Sequence, residues 1–169
     1  MRTQAKRGFT LIELLVVIAI IGLLSTLAVV AMSNARLKAR DAKRVSDIKQ
    51  IQSALDLFAT DKNGYVKKGT AAAPQTLGAA GALCLSDVEG LADACTGNVY
   101  MAKVPSNPTP GGRAAGYGYY GDGDCTGAVC TNYTILFDLE ADTGELKDTA
   151  SDADKIPNCK ATAGGITCT

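Results

Sequence analysis

Gly8-Phe9-Thr10-Leu11-Ile12-Glu13-Leu14-Leu15-Val16-Val17-Ile18-Ala19-Ile20-Ile21-Gly22-Leu23-Leu24 is the stretch that decides how this chain is read. From Phe9 to Met32 the sequence carries a single charge, Glu13. At about 1.5 Å per residue, a helix of that length reaches roughly 36 Å, enough to cross a hydrocarbon layer of about 30 Å. The residues in front of it, 1–8, are polar and hold Arg2, Lys6 and Arg7. A secretory signal peptide fits poorly, because the apolar run is too long and no small-residue cleavage site comes after it. An ordinary signal anchor leaves Glu13 unexplained. An ionised carboxylate inside lipid costs a few kcal/mol or more unless it finds a partner.

The helical pattern outlasts the apolar run. Residues 33–60 contain no Pro or Gly, and Val45, Ile48, Ile51, Leu55 and Phe58 recur at spacings of three and four. That is one apolar stripe on an amphipathic helix. The reading is one helix from Phe9 to about Lys62, roughly 80 Å long at ~1.5 Å per residue. Asp61-Lys62-Asn63-Gly64 supplies the stop, with Asn63 or Gly64 in a left-handed cap. Gly22 is the weak point of the first half. Arg36, Arg40, Lys43 and Arg44 share a helix face. They read either as a solvated juxtamembrane face meeting anionic headgroups or as a patch for DNA phosphates. No aromatic residue interleaves with them, so stacking on single strands is not supported. Arg36, Lys38, Arg40, Lys43 and Arg44 after the run outnumber the three leader cations, the reverse of positive-inside expectation.

The chain has 169 residues and no formal net charge. Without residues 1–8 it holds 14 basic and 17 acidic residues, a net of −3, which argues against a wholly nucleic-acid-binding protein. Beyond the helix, residues 63–169 suit one small domain with few large core residues: there is no Trp. Thin-cored exported domains rely on disulfides. All six cysteines come after the apolar run, as three local couples, and short loops close at lower entropic cost. Of 15 pairings we expect Cys84–Cys95, Cys125–Cys130 and Cys159–Cys168. Bridges place this domain in an oxidising compartment, against the charge count. A structural zinc site is the alternative, but no C-x-x-C occurs and His is absent. Enzymatic chemistry is not expected: there is no His base, no phosphate-cradling glycine loop and no readable carboxylate pair.

Lys6-Arg7-Gly8-Phe9-Thr10-Leu11-Ile12-Glu13 resembles the type III signal of type IV pilins and type II secretion pseudopilins. The resemblance implies that a membrane prepilin peptidase cleaves between Gly8 and Phe9 and methylates the new Phe9 amine. It also implies that Glu13 pairs with the N-terminal ammonium of a neighbouring subunit. Each charge is expensive alone in lipid and less so as a pair. The implied fold is α+β, a long N-terminal helix packed on a small antiparallel sheet of about three strands. The implied segments are a leader (1–8), a transmembrane and polymerisation helix (9–32), its amphipathic continuation (33–62) and an extracytoplasmic domain (63–169). The implied partners are further copies and other pilin-like subunits in a helical filament, the peptidase and an inner-membrane assembly platform. The expected location is the inner membrane, single-pass, and then a periplasmic or cell-surface filament. Val30 stands where the family often has proline, which removes one expected kink.

Within the domain, Tyr65 to Leu83 reads as a connecting loop. Ser86-Asp87-Val88-Glu89 matches a capping box and predicts a short helix through Leu91 and Ala92. Val104-Pro105-Ser106-Asn107-Pro108 resembles the turn that precedes the first strand in major pseudopilins, with Asn107 in place of an acidic residue. Tyr117 and Tyr119 alternate to one strand face. Asp122 to Cys130 reads as a hairpin loop pinned by a bridge; its two aspartates lack EF-hand spacing. In Asn132–Glu140, Tyr133, Ile135, Phe137 and Leu139 face the helix stripe, and Asn132, Thr134, Asp138 and Glu140 the other side. Asn132-Tyr133-Thr134 matches a glycosylation sequon, though a strand is a poor acceptor. Asp142-Thr143-Gly144 reads as a turn and Glu145-Leu146-Lys147 as a third strand. No cofactor is expected beyond a Ca²⁺ loop, which the resemblance places near Asp138, Asp142 and Asp148; a solvated acidic loop is the alternative. The tail from Pro157 reads as a bridge-closed loop. The functions left open are a type IV pilus subunit for adhesion, motility or DNA uptake, a secretion pseudopilin, and a monomeric anchored binding domain.

Overall fold

A computed structural model describes residues 9–109, 116–140 and 159–168. It separates into two compact units, Met1–Leu37 and Lys38–Thr169. One helix, α1 (Leu11–Lys62, 52 residues), enters both. It ends where Asn63 takes φ 56°, the left-handed cap expected of that position.

In the C-terminal unit, the rest of the described chain forms strands: β1 (Tyr65–Val66), β2 (Gln75–Thr76), β3 (Cys84–Ser86), β4 (Gly90–Ala92), β5 (Val99–Met101), β6 (Gly118–Thr126), β7 (Val129–Phe137), β8 (Cys159–Thr162) and β9 (Gly165–Cys168). They make a six-stranded sheet, β2-β6-β7-β8-β9 with β1 also on β7, and a three-stranded sheet, β4-β3-β5. All pairings are antiparallel. The architecture is α+β, a long N-terminal helix with antiparallel sheets, and its sheets hold more strands than the three expected.

The helix stripe and the sheets share one core. Ile48, Ile51, Leu55 and Phe58 are buried, Val45 partly so, against Tyr117, Tyr119, Tyr133, Ile135, Phe137 and Leu139. Each fully buried Leu, Ile or Phe contributes about 1.5–3 kcal/mol before entropy is counted. The alternation expected of β6 and β7 is therefore what orients them on the helix. Polar ties reinforce it: Tyr117 donates to Asp47 (3.2 Å), Tyr65 to Asp56 (3.1 Å) and Tyr100 to Asp61 (2.5 Å), three helix carboxylates serving three different segments. The Asp61 carboxylate pushes the Tyr100 hydroxyl up to about 12.

Three local expectations are corrected. Ser86-Asp87-Val88-Glu89 caps no helix; it is the turn between β3 and β4. The reciprocal bonds are still made, Ser86 Oγ to Glu89 Oε2 (2.6 Å) and Glu89 N–H to Ser86 Oγ (3.3 Å), but Gly90 at φ 67° turns the chain back. Leu85 and Leu91, both 2 % exposed, then bury side by side. The Tyr65–Leu83 connection contributes β1 and β2, each too short to carry a period of two. The tail is a hairpin, β8–β9, not a loop, and β8 is the strand beside β7. On the other side of this segment, Thr134 in β7 is 3 % and Asp138, just after it, 1 % exposed. The turn at 142–144 and the strand at 145–147 lie outside the described residues.

The three bridges are Cys84–Cys95, Cys125–Cys130 and Cys159–Cys168. The second joins facing residues of β6 and β7, and the third facing residues of β8 and β9. Cys84–Cys95 ties β3 to the segment after β4.

Candidate functional site: the N-terminal helix and the ion cluster of the C-terminal unit

In the N-terminal unit, Phe9 to Met32 has no buried residue. Phe9 is 84 % and Leu11 81 % exposed, and an 18-residue window of α1 reaches a mean hydropathy of 2.9. An apolar surface of this extent needs lipid or other helices around it. Its few polar side chains are satisfied within the helix. Ser25 Oγ donates to the Ile21 carbonyl (2.7 Å) and Thr26 Oγ1 to that of Leu23 (2.8 Å). Such back-bonding is how hydroxyls are tolerated in hydrocarbon.

Glu13 is held in the same way. Its Oε2 accepts from the Thr10 N–H (2.8 Å) and the Thr10 hydroxyl (2.7 Å), while the Glu13 N–H reaches Thr10 Oγ1 (3.3 Å). Thr10-Leu11-Ile12-Glu13 is a capping box opening α1. Its spacing was legible in the sequence, though our reading of Glu13 considered only a partner on another chain. The negative side chain also sits at the positive end of the helix dipole. The resting carboxylate thus has two donors at hand, and Phe9 precedes it at the start of the helix. Gly8, the other residue of the expected cleavage site, lies outside the described residues. An added Cβ at Gly22 would meet nothing within 4 Å, so no contact within the chain requires glycine there.

The basic face expected on α1 is divided by the fold. Arg44 is fully buried: its Nη1 contacts Asp41 (2.5 Å), its Nη2 Glu140 (2.5 Å) and its Nε Asn107 (2.8 Å). Arg40 Nε donates to Glu140 Oε1 (2.9 Å), and its Nη2 pairs with Oε2. Asp41, also fully buried, accepts the Glu140 N–H at 3.0 and 3.1 Å. Hydrogen bonds from Arg40, and then from Arg44, hold the Glu140 carboxyl below its ordinary range. The cluster fastens the segment after β7, and the Asn107 loop, to the helix. Arg40 and Arg44 are therefore structural, not free cations for a phosphate. Asn107, expected only as a departure from a turn pattern, is a ligand to Arg44. The signal was available: continuing the stripe back from Ile48 by one turn lands on Arg44 and then Asp41.

Of the residues suggested for Ca²⁺, Asp138 is buried beside this cluster's segment, and Asp142 and Asp148 lie outside the described residues. Among the described residues no group of three acidic, His or Cys side chains could hold a metal. Asp122 is used within its hairpin, accepting from Gly123 N–H (2.8 Å) and the Thr134 hydroxyl (3.3 Å). Asn132 accepts from Tyr133 N–H within β7.

These features define a class: a chain whose described residues hold one long, apolar N-terminal helix opened by a capped carboxylate, and a C-terminal unit of bridged antiparallel sheets. The comparisons with known proteins are more specific. Residues 3–29 match the family model described as the prokaryotic N-terminal methylation motif. The chain is 46 % identical over 65 residues to the type II secretion system core protein G of Klebsiella michiganensis, covering 38 % of this chain and 46 % of that one. It is 44 % identical over 63 residues to the protein of the same name from Escherichia coli K12 (37 % and 43 %), and 38 % identical over 64 residues to that of Vibrio cholerae (38 % and 44 %). The chain spans less than half the length of these curated relatives. No solved structure is matched. Together the motif and the relatives support a type IV pilin-like pseudopilin.

Proposed function

We propose that this chain is a structural subunit that is cleaved between Gly8 and Phe9, methylated on Phe9 and polymerised through α1 into a pseudopilus of the type II secretion kind. The observation that carries the reading is Glu13, the lone charge in the apolar run Phe9–Met32, no residue of which is buried. Assembly exchanges lipid for neighbouring helices around Phe9–Met32, and the Glu13 carboxylate takes the Phe9 ammonium of the next copy. The contact is heterologous, so it propagates instead of closing. The peptidase, an inner-membrane platform and other pilin-like subunits are its partners in this reading, and the C-terminal unit lies on the extracytoplasmic side. The chain performs no catalysis and takes no cofactor in this scheme.

Glu13→Ala tests the proposal. The chain should still insert in the membrane, while filament formation should fall at least tenfold, the effect of about 1.4 kcal/mol on an equilibrium. An unchanged filament yield would overturn it, as would a protein that acts normally as a monomer.

A further inference from the structure

Two surfaces of the C-terminal unit match each other and cannot meet within one copy. The first is the outer face of α1. Ala42, Ser46, Lys49, Gln50 and Ser53 are exposed at helical spacing, on the side opposite the buried Ile48–Phe58 stripe. Together with half-buried Val45 they line an open groove of about 450 Å³. The second is the turn between β3 and β4, where Val88 is 65 % exposed between Asp87 and Glu89. A single exposed valine is ordinary. This one differs in how firmly it is held out. Besides its bonds with Ser86, Glu89 accepts from the Thr96 N–H (3.0 Å) and hydroxyl (2.5 Å), and Asp87 accepts from the Asn98 N–H (2.8 Å). Gly97 completes the clamp, since a Cβ there would come within 2.7 Å of Val88 Cγ2. A side chain fixed in this way loses little further freedom on binding.

The two surfaces carry opposite charge. Hydrogen bonds from Ser86, and then from Thr96, pull the Glu89 carboxyl down to about 2, so it is ionised at neutral pH. Neither Glu89 nor Lys49 makes an ion pair among the described residues. Asp87 Oδ2 lies 4.0 Å from Lys62 Nζ, which puts the turn beside the C-terminal end of α1. The groove is centred near Ile48, about 20 Å back along the helix at ~1.5 Å per residue. A side chain on the turn is therefore out of reach of the groove of its own copy.

We infer that the β3–β4 turn of one copy docks on the outer face of α1 of a second copy, with Val88 in the groove and Glu89 facing Lys49. This rests on the reading of the chain as a polymerising subunit, and adds to the Phe9–Glu13 pairing a contact between C-terminal units. Turn and groove are different surfaces, so the contact is heterologous and propagates. An exposed ion pair adds little affinity; its part is to select the register in which the copies meet.

The test uses fibres of the full chain carrying Ser46→Cys together with Val88→Cys, treated with a short bismaleimide. All six native cysteines are bridged and do not compete. The doubly substituted chain should give a ladder of dimers, trimers and higher adducts, and a mixture of the two single variants should stop at dimers. In a separate chain, Lys49→Glu should lower fibre yield by about fivefold or more, with thermal unfolding of the C-terminal unit unchanged. Intact fibres that give no ladder would overturn the inference and leave the proposed function standing. Dimers from one single variant alone would overturn it too, because they report a symmetric contact. So would an unchanged fibre yield for Lys49→Glu, or adducts formed only with other proteins. A parent chain that forms no fibre would overturn the inference and the proposed function together.

Discussion

Arg44→Met removes the centre of the ion cluster and keeps the apolar stem. Arg44 has no exposed surface, and three of its nitrogens reach Asp41, Glu140 and Asn107 at 2.5, 2.5 and 2.8 Å. Without it, Asp41 stays buried and loses its cationic partner, and Asn107 loses a donor. Breaking a buried pair by removing one partner costs about 3–5 kcal/mol. The lower end applies here, because Asp41 keeps the Glu140 N–H and Glu140 keeps Arg40. About 3 kcal/mol is roughly a 150-fold change in the unfolding equilibrium. Arg40→Met, removing a side chain 21 % exposed, should cost no more than about 1 kcal/mol. Urea unfolding of both variants, followed by the near-ultraviolet signal of the buried tyrosines, measures the difference. Equal costs, or a cost below about 1 kcal/mol for Arg44→Met, would refute the claim that the buried cation organises this corner.

The same cluster sets a pH dependence. The folded Glu140 pKa lies below its unfolded value, so its contribution is complete above about pH 4.3 and is lost as pH falls through the lower folded value; Arg40→Met should flatten that acid limb. At the helix stop, Asn63→Ala forces an alanine to φ 56° and should destabilise by about 1 kcal/mol, while Asn63→Gly should cost little. Tyr133→Phe should be neutral, or stabilising by up to about 1 kcal/mol in thermal unfolding, because Gln52, the amide beside the buried hydroxyl, donates to the Thr162 carbonyl and leaves that hydroxyl no hydrogen bond of ordinary geometry among the described residues.

How far the sequence reached depends on where its patterns are long. Ile48 to Phe58 and Tyr133 to Leu139 repeat often enough to show a period, and both faces lie in the core as read. The cysteine couples were legible because each closes a short loop. The β8–β9 hairpin was not: each strand has four residues, and their alternation runs through Lys160, Ala161 and Thr162, which mark no apolar face. Ser86–Glu89 misled because a serine and a glutamate three apart make the same local bonds in a β-turn as at a helix start; Gly90 and the Leu85–Leu91 contact decided between them. The charge of Arg44 points to exposure, yet the side chain is buried. Its place one turn before Ile48 put it on the buried face, and Asp41 and Glu140 make that burial tolerable.

Processing and assembly through Phe9 and Glu13 are tested most directly by the intact mass of the chain purified from its native membrane. The expected product is a polypeptide that starts at Phe9, carries one added methyl group on that amine and retains three closed disulfides. A chain that still starts at Met1, with an unmodified amine, would contradict it.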